Sequence, residues 1–336
     1  MSTSRRCTSS SSSMMTKEWP DRIVVASRGS QLAMRQTEIL GDLLRAADPE
    51  LQVDVLTVST KGDKDKSIPF SAIGAKGIFT TEVSAEVLAG NADVALHSAK
   101  DLTAELGPGT ALICIPRRAD ARDVVVGGEG VSGEERLASL STGTRVGTSS
   151  MRRKVLLTEA RPNLEVVEFR GNLDTRLRKV AEGEVDAAVL AAAGIHRLGG
   201  VDENQFGPLE PTRWVPSPAQ GALAVEALAE RTDLAELFER IGSPAAAAEV
   251  ACERAFSARL EGGCSVPLGC HAQASERGLL VTGMLGSPLT DQVLRDRISG
   301  TPAEAESLGV ELAEAILAAG GGEILEDIKA EEIQRS

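Results

Sequence analysis

The sequence predicts an α/β fold of doubly wound sheets with a smaller α+β unit at its C-terminal end. Three observations carry that reading. From Ile23 to Leu190, short apolar runs alternate with stretches of helical spacing. Each run ends in a polar loop rich in Gly, Ser or Thr. Beyond Ala245 the pattern changes to an Ala-rich helix, a glycine break, strand-like runs and a last helix. Strands alternating with helices imply parallel sheets covered on both faces.

Element by element, Ile23 to Ala26 is apolar and Ser27-Arg28-Gly29-Ser30 follows. Leu32, Gln36, Ile39, Leu40, Leu43 and Leu44 then recur at helical spacing. Val53 to Val58 leads into Ser59-Thr60-Lys61-Gly62-Asp63, and Asp93 to Leu96 into His97-Ser98-Ala99-Lys100-Asp101. A second unit starts after Pro116 to Arg122. Its run Arg145 to Gly147 meets Thr148-Ser149-Ser150 and a helix from Met151. Leu164 to Phe169 meets Arg170-Gly171-Asn172 and a helix through Leu173, Leu177 and Val180, and Val185 to Leu190 closes the unit. In the third region, Ala245 to Leu260 reads as a helix that Gly262-Gly263-Cys264 interrupts. Leu279 to Met284 and Gln292 to Ile298 read as strands, and Ala303 to Ala319 as the final helix.

Composition narrows the function. A chain of 336 residues suggests two or three domains, and 42% hydrophobic with 25% charged residues is a globular balance. With 2% aromatics, no Tyr and a net charge of -13, the chain lacks both the stacking surfaces and the basic face that nucleic acid requires. No apolar run approaches the length of a membrane span. The cysteines (Cys7, Cys114, Cys252, Cys264, Cys270) are odd in number and sparse, which fits a reducing, cytoplasmic compartment. Residues 1–20, with Arg5, Arg6 and Ser9 to Ser13, read as a disordered tail, with an organelle transit peptide as the alternative.

In open α/β sheets ligands bind beyond the carboxyl ends of the strands, where all the polar loops above fall. Thr148 to Arg153 places hydroxyls and free N–H groups at a helix start with adjacent arginines in its first turn. Simple capping by Ser150 is the bland alternative, but Arg152 and Arg153 oppose the helix dipole, which favours an anion site. Arg170 with Arg176, and Arg28 with Ser30, repeat the device; Arg197 reads equally as a site cation or a solvated surface residue. Lys76 lies in Gly74-Ala75-Lys76-Gly77, which lacks the spacing of a phosphate-binding P-loop. Asp101, beside Lys100, is the candidate general acid/base, with a solvated loop end as the alternative; His97 reads as a packing residue. Cys264, between glycines and Ser265-Val266-Pro267, suits a nucleophile or attachment point as well as an inert buried thiol. Cys264, Cys270 and His271 do not match metal-ligand spacing, so no metal is expected.

Taken in order, Arg28 to Ala33, Gly74 to Phe79, His97 to Asp101, Gly147 to Arg153, Arg170-Gly171-Asn172 and Gly263-Cys264 resemble the porphobilinogen deaminase (hydroxymethylbilane synthase) family. The resemblance runs from about Ile23 to the last helix. It implies a monomeric transferase of haem and tetrapyrrole biosynthesis that joins four porphobilinogen molecules head to tail, releasing ammonia. The primer is a dipyrromethane held by a thioether at Cys264. The resemblance makes Asp101, with Lys100, the catalytic pair. It has Arg28, Ser30, Lys76, Lys100, Thr148, Ser150, Arg152, Arg153, Arg170, Arg176 and Arg197 hold the pyrrole carboxylates. It also implies two periplasmic-binding-protein-like domains: residues 21–116 with 217–240, and 117–216. Residues 241–336 form the third domain. Ala219 departs from the family pattern, which often has glycine before Gln220-Gly221. A solute-binding module or a phosphoryl-transfer enzyme are the competing classes. The absent secretion signal and absent phosphate loop speak against them.

Overall fold

The computed structural model describes residues 19–60, 80–103, 106–262 and 265–335. The first sheet comprises β1 (Arg22–Arg28), β2 (Gln52–Val58), β3 (Val94–Ser98), β4 (Thr110–Cys114) and, far later in the chain, β10 (Leu223–Leu228). Their spatial order is β2-β1-β3-β10-β4. The second comprises β5 (Asp123–Gly127), β6 (Arg145–Gly147), β7 (Glu165–Val167), β8 (Ala187–Ala191) and β9 (Phe206–Pro208), in the order β7-β6-β8-β5-β9. The third sheet is the meander β11 (Leu268–Ser275), β12 (Gly278–Gly286) and β13 (Val293–Gly300).

The expectation of purely parallel sheets is corrected. β1 pairs in parallel with β2 and β3, but β10 runs antiparallel to β3 and β4. Likewise β6 is parallel to β7 and β8, while β5 is antiparallel to β8 and β9. The connections explain the reversal. β1, β3, β6 and β8 all finish at the edge where the polar loops lie. The chain crosses between sheets at that same edge, through residues 115–122 and 209–222. A strand entered from a crossing must start there, so β5 and β10 run against their neighbours.

Side-chain alternation covers both faces of each sheet, as period-2 geometry requires. On β1, Ile23 and Val25 join the core with Leu40, Leu44 and Phe238, whereas Ala26 joins Val58, Val83 and Val87 on the opposite face. On β5, Val125 packs with Leu156 and Trp214, while Val124 and Val126 pack with Phe169 and Ile195. Each such large aliphatic, fully buried, contributes roughly 1.5–3 kcal/mol. In the third unit the helix Pro244–Arg259 lays Cys252 and Phe256 against Cys270 and Val281 of the meander and against Leu312 of helix Ala305–Ile316. The final helical stretch differs from the expected 303–319. It ends at Ile316, bends through Leu317–Gly321 where Gly320 has φ 108°, and resumes as a helix over Gly322–Arg335. Ile324, Leu325 and Ile328 of that last helix are buried in the same core.

Candidate active site

The loops that follow β1 and β3 enclose a cavity lined by Arg28, Ser30, Gln36, Ser98, Lys100 and Asp101. Ser30 sits there because it caps the helix Gln31–Ala47, its hydroxyl accepting from the Ala33 N–H at 3.3 Å. A hydroxyl that accepts the cap bond keeps its own proton to donate. Asp101 closes a single 3₁₀ turn, Ala99–Asp101, and is half-buried at the cavity wall. His97 also borders the cavity, but its ring is committed elsewhere: it is buried, with Nε2 2.8 Å from Glu226 Oε2 on β10, and Ser84 donates to the same oxygen at 2.6 Å. The packing role expected for His97 is what the structure has.

Across the cleft, Ser150 caps the helix Met151–Ala160 through the Arg153 N–H, and Thr148, itself buried, accepts from the Ser150 N–H. Arg152 and Arg153, expected to hold an anion, are drawn onto a carboxylate of the protein itself. Both are buried, 4% and 6% exposed, and both bind the carboxylate of Asp123 at the start of β5. Arg152 Nη1 reaches Asp123 Oδ2 at 2.7 Å and the Val215 carbonyl at 2.8 Å. Arg153 donates to Asp123 Oδ1 and to the Val189 carbonyl. Burial alone would raise the pKa of Asp123, but the paired guanidiniums overcome it and hold the carboxyl well below its usual range. The macrodipole cost of arginines in a first turn is thus met inside the protein, and the cluster keeps a net positive charge.

The remaining cations are placed differently. Arg170 pairs with Glu168 at 2.8 Å. Arg176 donates from Nε to the Gly171 carbonyl at 2.9 Å, and Arg197 from Nη2 to the Gly221 carbonyl at 2.7 Å. Arg197 is therefore not a solvated surface residue. Among the described residues neither Arg176 nor Arg197 meets a carboxylate at ion-pair distance, and both are half-buried. Desolvation, joined for Arg176 by the nearby Arg153 charge, pulls each guanidinium down to about 10. Lys100 is an exposed residue of the cavity wall with protein crowded around it. That crowding is the main reason it falls to about 8; Asp101 opposes the fall and Arg153 adds to it. In a chain of net charge -13, Arg176 and Arg197 are thus half-buried cations that, among the described residues, have no carboxylate at ion-pair distance.

Sequence reasoning missed the residues that assemble this site. Asp123 opens an apolar strand directly after the first crossing, a position where an isolated carboxylate signals a buried partner. Gln220, 1% exposed on the second crossing, meets both Lys100 and Arg153. Arg118 of the first crossing binds Glu253 of the third unit with Nη1 and Nη2 at 2.8 and 2.9 Å. Cys264 and Lys76, the expected attachment point and one expected carboxylate ligand, lie outside the described residues, as do Cys7 and residues 1–18; Trp19, assigned to the disordered tail, is instead buried in the first core with its indole N–H donating to Asp48 at 2.9 Å.

Known proteins are similar in sequence to this chain. The family model for the porphobilinogen deaminase dipyromethane cofactor binding domain matches residues 23–236, and that for the porphobilinogen deaminase C-terminal domain matches 247–318. The porphobilinogen deaminase of Roseiflexus castenholzii is 44% identical over 303 residues, spanning 90% of this chain and 98% of its own. That of Syntrophus aciditrophicus is 40% identical over 306 residues, 91% of this chain and 98% of its own. The chain with this arginine-lined cleft belongs to the porphobilinogen deaminase family.

Proposed function

We propose that the protein is a porphobilinogen deaminase, a transferase that couples four porphobilinogen molecules head to tail into hydroxymethylbilane with release of ammonia. The observation that carries this reading is the pair of half-buried arginines, Arg176 and Arg197, that meet no carboxylate at ion-pair distance among the described residues, together with Lys100 beside Asp101 in the cavity wall. Arg176, Arg197 and Lys100 are held by neutral oxygens, and each pyrrole brings carboxylates that would neutralise them. The residues fit a dipyrromethane for the same reason: its acidic side chains need several cations, which Arg28, Arg170, Arg176 and Arg197 supply, with Ser30, Thr148 and Ser150 as hydroxyl donors. Lys76 belongs to the same proposed set, and Arg152 and Arg153 contribute through the net charge of their cluster with Asp123. When bound at Cys264, that group supplies the nucleophilic pyrrole carbon to which substrate is added.

The chain's own residues do the rest. Asp101, half-buried at the cavity wall, stabilises positive charge on the substrate as ammonia leaves and accepts the proton released on coupling. Lys100 holds a substrate carboxylate. The arginines orient successive rings. The division into 21–116 with 217–240, 117–216 and 241–336 is the reading the three sheets support. Buried, reduced Cys114, Cys252 and Cys270 suit a cytoplasmic enzyme, for which we propose a monomer.

The test is intact mass and turnover together. Protein from cells that make porphobilinogen should be heavier than its sequence by one dipyrromethane, and Cys264→Ser should lack the increment. Asp101→Ala should keep the fold and the increment pattern of a folded protein but lose about 10²-fold or more of its turnover. An unmodified wild-type chain, or near-normal turnover by Asp101→Ala, would overturn the reading.

A further inference from the structure

Gln220 occupies the crossing between β9 and β10 with every hydrogen-bonding position of its side chain used. Its amide nitrogen donates to the Ala121 carbonyl at 2.7 Å and to Asp123 Oδ1 at 2.8 Å. Its oxygen accepts from Lys100 Nζ at 3.3 Å and from Arg153 Nη2 at 3.4 Å. The short pair fixes the amide to the first crossing and to β5. The long pair gathers a cation from each sheet onto a single neutral oxygen. The backbone around it is as fully held: Arg118 Nε donates to the Gln220 carbonyl, and the Glu253 carboxylate accepts from the Ala219 N–H. Ala219 takes φ 59°, a left-handed conformation that costs a residue with a Cβ roughly 1–2 kcal/mol, so the segment is held in place against local preference.

We propose that Gln220 is a positioning residue, which ties the Lys100 ammonium of the first lobe to the Asp123–Arg152–Arg153 cluster of the second and so sets the spacing and protonation of the cleft's cations. The inference rests on the deaminase reading only for its consequence, not for its geometry. A neutral acceptor suits the place. It steadies the protonated ammonium beside Arg153 without neutralising it, leaving the charge for a substrate carboxylate. An alkyl side chain would remove that acceptor, and a carboxylate would cancel the charge. Among the described residues, the charged groups acting on Lys100 are Asp101 on its own turn, Asp123 on β5, and Arg152 and Arg153 on the helix Met151–Ala160. Gln220 is the neutral group among them.

The experiment is trace acetylation of the intact protein across pH 6–11, read at Lys100 by peptide mass spectrometry, on wild type, Gln220→Met and Gln220→Glu. The labelling midpoint reports the protonation of Lys100 and needs no turnover. Without the acceptor, Gln220→Met should move the midpoint down by about half to one pH unit, a threefold to tenfold rise in neutral lysine at fixed pH. Gln220→Glu, ionised because Lys100, Arg152 and Arg153 outnumber Asp123, should move it up by a similar amount. A role in stability alone moves neither midpoint, or moves both the same way, and either result overturns the proposal. If Gln220→Met fails to fold, Gln220→Glu decides: an unchanged or lowered midpoint overturns it. Failure of the deaminase reading shows separately, as wild-type protein that releases no ammonia from porphobilinogen while the midpoints still shift.

Discussion

Glu253→Gln tests how the third unit is fastened to the crossings. The Glu253 carboxylate is fully buried and accepts from both terminal nitrogens of Arg118, from the Ala219 N–H at 2.5 Å and from the Ala272 N–H at 2.7 Å. Glutamine keeps the shape but removes the charge, and it turns one acceptor into a donor that faces only donors. Breaking a buried pair in this way costs about 3–5 kcal/mol because the Arg118 charge keeps only its longer contact, to Glu249 at 3.3 Å. With an unfolding entropy of roughly 2.1 cal/mol/K per residue, a chain of 336 residues unfolding as one unit would lose about 4–7 °C in Tm. Differential scanning calorimetry provides the measurement. A double-mutant cycle with Arg118→Leu sharpens it: the double variant should be less destabilised than the sum of the singles, since each single strands a buried charge. A Tm within 1 °C of wild type, or additive single and double effects, would refute the idea that this pair couples the third unit to the crossing segments.

The other expectations concern the same region. Gly221 has φ 86° and a Cβ there would lie 2.6 Å from the Ala119 carbonyl oxygen, so Gly221→Ala should destabilise by about 2 kcal/mol or more in urea titration. An unchanged midpoint would contradict that close approach. His271 is pulled from 6.5 down to about 4, first by burial and then by the Arg118 charge. The folded state therefore binds fewer protons than the unfolded chain between those values, and stability falls as pH drops from 6.5 to 4. His271→Gln should remove up to one proton's share of that slope, about 1.4 kcal/mol per pH unit, in pH-dependent unfolding; an identical acid limb would count against it.

Much of the fold was legible because its signals are local. The run Ile23 to Ala26, the serine at position 30 and the spacing of Leu40 and Leu44 specify strand, cap and helix within a few residues, and β1 and Gln31–Ala47 follow them closely. β4, β5, β9, β10 and β11 went unread because no helix separates them from a neighbour in the expected rhythm. Their partners are remote: Val225 of β10 pairs with Leu96 of β3.

The site divided along the same line. Residue types alone determined that arginines, a lysine and an aspartate converge at strand ends, since loop position and charge are written in order along the chain. Tertiary structure alone decided which of those charges stay available. Arg152 and Arg153 share the one carboxylate of Asp123, while among the described residues Arg176 and Arg197 reach carbonyl oxygens. The physical reason is that a buried charge is defined by its partners, and here the partners arrive from crossings far away in sequence.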